Sequence, residues 1–184
     1  MFQKSFTTKS GKQIALRYPT IADADMMMEY INAISKENTF ITFSGEQLTR
    51  EEEEAHLQNT MHSISLSDAV VIVAEYNGAI VGVSDVTRIL TGRTRERHTA
   101  RFGISIRKDF RGEGLGKALM STIIEEATQH IGGLKIIKLQ CYGLNTPALN
   151  LYKKLGFVEY GRLPEGIQYK GQYADTVLMY KRIR

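Results

Sequence analysis

Hydrophobic and polar positions change their spacing repeatedly along the chain, and each change predicts an element. Between Lys12 and Arg17, Ile14 and Leu16 alternate with Gln13 and Ala15, the period of two expected of a strand. After Pro19-Thr20 the period lengthens, and Met26, Met27, Tyr30, Ile31 and Ile34 predict a helix over Ala22 to Ile34. Asn38 to Gln47 is aromatic and contains glycine, so it reads as a loop. Thr49 with Glu52 three residues on is a capping-box pattern, opening a helix that runs to about His62. Val70 to Tyr76 and Ile80 to Ile89 read as two strands joined by Asn77-Gly78, a strong hairpin signal.

A polar loop from Leu90 to Arg97 leads to a strand over Thr99 to Arg107. Leu115, Ala118, Leu119, Ile123 and Ala127 then share one face of a helix over 115–130. Ile136 to Tyr142 is a continuous apolar-rich strand. Asn145 or Thr146 caps a short helix with Pro147 in its first turn and Gly156 just past its end. Phe157 to Arg162 and Asp175 to Lys181 are the last strands predicted. The order βααβββαβαββ implies an α/β protein with a mixed sheet and helices on both faces. No repeat, low-complexity stretch or linker divides the 184 residues, so one domain over 1–184 is expected.

Composition narrows the function classes without choosing among them. Hydrophobic residues at 42% and charged residues at 24% are ordinary for a globular protein. A net charge of +4 suits an acidic ligand but falls short of a nucleic-acid-binding composition. The single cysteine, Cys141, excludes an internal disulfide, suits a reducing cytoplasm and reads as a core residue of its strand. No apolar stretch approaches the roughly 18 residues of a membrane span, and Met1 to Ser5 lacks a hydrophobic signal region. A cytoplasmic protein is expected, with neither a nucleic acid nor a membrane as partner. No His/Cys/carboxylate spacing points to a metal.

The chemistry concentrates in Arg111-Gly-Glu-Gly-Leu-Gly116, between a predicted strand and a predicted helix. Three glycines at alternate positions let backbone approach a ligand closely, and the helix start directs free N–H groups and a positive dipole end at it. That combination suits a phosphate. The dinucleotide fingerprint would need glycine at 117, which is lysine. A P-loop would need four residues between its glycines and Ser or Thr after the lysine, and here Ala118 follows Lys117.

The spacing that fits, Arg-x-x-Gly-x-Gly with Arg111, Gly114 and Gly116, resembles the pyrophosphate loop of the GNAT superfamily of N-acetyltransferases. Asn145-Thr-Pro-Ala-Leu-Asn-Leu-Tyr152, continuing to Gly156-Phe157-Val158, is similar to that family's second signature. Ala79-Ile80-Val81-Gly82 resembles one of its hairpins. Tyr173-Ala174-Asp175 is similar to the ending of the branch that acts on protein N-termini and small amines. The resemblance runs over nearly the whole chain and implies the acyl-CoA N-acyltransferase fold, whose central sheet is mixed and mostly antiparallel.

It also implies a reaction and its residues. Backbone N–H groups of Gly112, Gly114, Leu115, Gly116 and Lys117 would hold the pyrophosphate of acetyl-CoA, with Arg111 positioning the loop and Lys117 adding charge. Ile104, Ser105 and Ile106 would pair with the pantetheine arm, the N–H of Ile104 or Ser105 polarising the thioester carbonyl. Asn145 would hydrogen-bond the pantetheine, or serve only as a helix cap. Tyr152 would protonate the departing thiolate, or simply pack at the core edge.

A base to deprotonate the amine has no such signature, because no acid lies between Thr99 and Arg107. Asp85, His98, Glu37, Glu46 or a water chain are the alternatives. Phe40, Phe43 and Glu46 would shape the acceptor side, whose identity rests on 38–46 and 165–175. Glu51 to Glu54 read as a solvated helix start. Arg88, Arg93, Arg95, Arg97 and Arg101 read as a solvated basic loop or a contact for an acidic partner. The implied activity is direct acetyl transfer from acetyl-CoA to an amine in a ternary complex. An amino acid, polyamine, amine drug or protein N-terminus are all open as acceptors, and so is a homodimer. The alternative from another class is an acyl-CoA sensor without turnover.

Overall fold

A computed structural model describes residues 2–89 and 94–183. Its elements are β1 (Gln3–Thr7), β2 (Gln13–Arg17), α1 (Ala24–Lys36), α2 (Arg50–Ser65), β3 (Ala69–Tyr76), β4 (Ala79–Arg88), β5 (Thr99–Ile106), α3 (Leu115–His130), β6 (Ile136–Tyr142), α4 (Thr146–Lys154), β7 (Val158–Tyr169) and β8 (Gln172–Arg182). The pairings β1·β2, β2·β3, β3·β4, β6·β8 and β7·β8 are antiparallel and β5·β6 is parallel. This is the mixed, mostly antiparallel sheet expected. No helix among the described residues is long and apolar enough to cross a membrane.

Two compact units account for the chain. The first is Met1–Thr87 with Gly103–Gly132, and the second is Arg88–Phe102 with Gly133–Arg184. In the first, β1, β2, β3 and β4 follow one another across the sheet, continued by the C-terminal half of β5. Ala69 to Ala74 of β3 is buried throughout, so this central strand reads as a continuous apolar run. Met27, Tyr30 and Ile34 of α1 pack with Val73 and Ile80. Gly82 admits α3, because a Cβ there would stand 3.0 Å from Leu119 Cδ1. At the β3–β4 turn Asn77 and Gly78 have φ of 49° and 75°, the left-handed pair that a two-residue hairpin requires.

The second unit holds the N-terminal half of β5, then β6, β8 and β7. Thr99 to Arg101 of β5 pair with Ile136 to Lys138 of β6, and the register ends there. Ile137 of β6 and Val177 and Met179 of β8 are fully buried.

Two strands depart from the expected pattern. β1 is unpredicted, because its residues QKSFT are exposed apart from half-buried Phe6 and carry no apolar alternation. β7 runs to Tyr169 and β8 begins at Gln172, so most of 165–175 is strand rather than loop. β7 is almost wholly exposed, and its pairing with β8 is interrupted between Leu163 and Ile167, where Glu165 has φ of 53°. Pro164 and that irregularity break the alternation a reader of sequence depends on.

Candidate functional site

The glycine loop leaves β5 through a short turn at Lys108–Phe110, whose Phe110 is buried with its ring 5.4 Å from that of Tyr76. Gly112 and Gly114 then take φ of 77° and 88°, a region costly for any residue with a Cβ. Gly114 is the N-cap of α3 and makes no side-chain cap, so the helix begins with its first N–H groups unclaimed by a capping group. The Ala118 N–H donates back to the Gly114 carbonyl at 3.2 Å.

Side chains are cleared from this loop. Leu115 is fully buried and offers only its backbone N–H. Glu113 turns to the β1–β2 connection, where the Ser10 N–H donates to its carboxylate at 2.9 Å and holds it below the usual carboxylate range. A Cβ on Gly112 would meet nothing within 4 Å. Beside the loop lies a cleft of about 350 Å³ lined by Phe6, Thr8, Lys9, Glu113, Gly114 and Lys117. Its two lysines, with the start of α3, give the region positive character.

Arg111 is held in place rather than extended toward a ligand. Its Nε donates to the Ile106 carbonyl at 2.7 Å and its Nη2 to Glu37 Oε2. Glu37, at the end of α1, also accepts the Lys108 N–H at 3.0 Å. The loop is thus clamped to α1 and to the end of β5. Glu37, considered above for proton removal, is committed to this clamp.

Ile104, Ser105 and Ile106 are half-buried. The Ser105 hydroxyl shares a 2.8 Å hydrogen bond with the Tyr30 hydroxyl, fixing β5 against α1. Burial pushes the Tyr30 phenol well above its ordinary range, so it stays protonated. Sequence reading gave Tyr30 only a core position, since nothing local marks its hydroxyl partner 75 residues away.

The remaining base candidates separate clearly. Glu46 is exposed, and the Ser44 N–H holds its carboxylate below the usual range. His98 is exposed, and its carbonyl accepts the Lys135 and Ile136 N–H groups. Asp85, on β4, is half-buried beside Gly103 and accepts the Thr87 hydroxyl at 3.2 Å.

The segment after α1 is anchored by side chains that sequence reading missed. The Asn32 carboxamide brackets Leu48, accepting its N–H at 2.8 Å and donating to its carbonyl at 2.9 Å. Ser35 Oγ donates to the Glu46 carbonyl at 2.6 Å and accepts the Gly45 N–H at 3.1 Å. Phe40 and Phe43 are half-buried within it.

In the second unit Tyr152 of α4 is buried at 7% exposure, with ring centroids 6.1 Å from both Phe102 and Phe157. Burial, then the neighbouring Cys141, pushes its phenol well above the ordinary range. It therefore stays protonated at neutral pH. Asn145 is the N-cap of α4, its Oδ1 accepting the Ala148 N–H at 3.3 Å. Cys141 is buried and its thiol is raised to about 11 by burial, which keeps it unreactive.

Two expectations are corrected here. Glu53, within the helix start read as solvated, is buried on α2, which pushes its carboxyl above the usual range. Arg88 is not solvated: it is 7% exposed and donates to the Arg97 carbonyl. Arg95, Arg97 and Arg101 are exposed, while Arg93 lies outside the described residues.

Comparison with known proteins bears on the same features. Residues 30–157, more than half of the chain, match the Acetyltransferase (GNAT) family. A GNAT-family acetyltransferase of Streptococcus pneumoniae superposes with a TM-score of 0.83 at 31% identity, over 93% of this chain and 99% of that one. The L-amino acid N-acyltransferase MnaT of Escherichia coli is 29% identical over 62% of this chain. The match spans 65% of that curated relative, just under two thirds of its length. A phosphinothricin acetyltransferase of Sinorhizobium meliloti, solved with acetyl-CoA, shares the fold at a TM-score of 0.77 and 23% identity, over 92% of this chain and 88% of that one.

Proposed function

Because the chain belongs to the GNAT acetyltransferase family, we propose that residues 1–184 act as one domain moving the acetyl group of acetyl-CoA to a primary amine. The observation that carries this reading is the glycine-capped start of α3, with its unclaimed N–H groups and its loop clamped by Arg111. Such a fan of donors suits the pyrophosphate of a coenzyme A thioester, and the Sinorhizobium relative was solved with acetyl-CoA. The N–H groups of Gly112 to Lys117 hold the pyrophosphate. Ile104 to Ile106 pair with the pantetheine in the manner of an added strand, joined by the Asn145 carboxamide.

Acyl transfer needs a neutral amine, a stabilised oxyanion and a protonated leaving thiolate. The amine attacks the thioester directly in a ternary complex. The N–H of Ile104 or Ser105 polarises the carbonyl, and Tyr152, kept protonated by its burial, supplies the thiol's proton. The Escherichia coli relative acts on L-amino acids, so a small molecule bearing an α-amino group is the acceptor class to test first. Thiol release from acetyl-CoA across amino acids, polyamines, amine drugs and dipeptides tests the whole reading. Amine-dependent release is expected. Tight coenzyme binding with no release on any of them would instead identify a sensor.

A further inference from the structure

β5 carries no acid, yet a carboxylate stands over it. A methyl group at Gly103 would collide with Asp85 Oδ1 and lie 3.4 Å from its Cγ and 3.8 Å from its Oδ2. Asp85, from the neighbouring strand β4, therefore fills the volume that a side chain at 103 would otherwise take. The arrangement is held from several directions. Thr87 Oγ1 donates to Asp85 Oδ2 at 3.2 Å, and buried Ser84 Oγ donates to the Gly103 carbonyl at 2.9 Å. Two residues along each strand, Val83 packs against the α1 cluster and Ser105 is hydrogen-bonded to Tyr30. With side chains alternating along a strand, Asp85 shares the sheet face that α1 covers, and α1 leads directly into the anchored segment 38–48. Gly103 also directly precedes Ile104 and Ser105, one of whose N–H groups is assigned above to the thioester carbonyl. The carboxylate thus stands beside the residue that leads into that stretch of backbone.

The geometry points to Asp85 as the general base for the acceptor amine, supplied across the sheet by β4 because β5 has only Gly103 there. This rests on the acetyltransferase reading given above. The acceptor's ammonium gives one proton to the Asp85 carboxylate. The freed electron pair forms the C–N bond as the C–S bond breaks, and the thiolate leaves with the Tyr152 proton. The acylated nitrogen still carries one proton too many and gives it up as Tyr152 regains its own. Asp85 releases its proton to solvent, so that ammonium and thioester become amide, thiol and one free proton. Glycine at 103 is as necessary as the aspartate, since any Cβ would displace the carboxylate.

Asp85→Asn tests this with little change of shape. Its kcat should fall about 100-fold, while acetyl-CoA affinity by calorimetry and the melting temperature stay near wild type. Gly103→Ala, which pushes the carboxylate aside without removing it, should lower kcat roughly tenfold to a hundredfold. A graded acceptor series separates proton removal from mere architecture. The ratio of wild-type to Asp85→Asn turnover should shrink toward one as the amine becomes less basic and arrives already neutral. A loss equal for every amine, or undiminished turnover in Asp85→Asn, would overturn the assignment. A wild-type protein that releases no thiol with any amine would instead remove the acetyltransferase reading itself, and this inference with it.

Discussion

Two loops of the first unit, Arg111–Lys117 and Asn38–Leu48, are both tied to the last turns of α1, but they present different parts of the chain. Glu37 clamps the first through Arg111 and the Lys108 N–H. Asn32 and Ser35 clamp the second through Leu48, Gly45 and Glu46. The first offers backbone, with Leu115 buried and Glu113 turned to Ser10. The second carries half-buried Phe40 and Phe43, so whatever it recognises is set by side chains. A backbone site restricts its residue types tightly, because few residues tolerate its φ values. A side-chain site can vary freely while its anchors stay the same.

The contrast can be broken most forcefully at Gly114. Gly114→Val puts a β-branched residue at φ 88° and its Cβ 3.4 Å from Phe6 Cζ, so acetyl-CoA binding by calorimetry should weaken more than 100-fold. Tyr152→Phe is the control outside both loops. Its kcat should fall roughly thirtyfold with coenzyme affinity unchanged, and equal turnover would remove the donor role. Glu37→Gln loosens the clamp on the first loop alone and should weaken acetyl-CoA binding about tenfold. Ser35→Ala releases the second loop and should raise KM for the amine a fewfold, leaving coenzyme affinity as it was. If Ser35→Ala instead impaired coenzyme binding, the two loops would not be separable.

The same distinction explains what could be read from residues alone. The loop at 111–116 was legible because backbone geometry demands glycine, and the Asn77-Gly78 turn for the same reason. α3 and α4 were legible through periodicity and capping residues. β1 was not, since an exposed edge strand needs no apolar alternation, and the continuation of β7 beyond Arg162 was hidden by Pro164 and the irregularity after Leu163. Arg88 was misread because its burial depends on the Arg97 carbonyl, a partner that spacing does not reveal. The Asp85–Gly103 juxtaposition lies deeper still. It appears only when β4 and β5 are aligned, and the informative residue is the one with no side chain.

Gly82 shows how far from the glycine loop its accuracy is set. At Gly82, β4 meets α3 across the space of one absent methyl, 3.0 Å from Leu119 Cδ1. Leu119 stands barely more than one helical turn beyond the capping glycine. The seat of the helix on the sheet is therefore the datum from which the donor fan is aimed. A change too small to disturb any ligand contact directly would still re-aim the whole fan, as a shim under a mount shifts the instrument it carries.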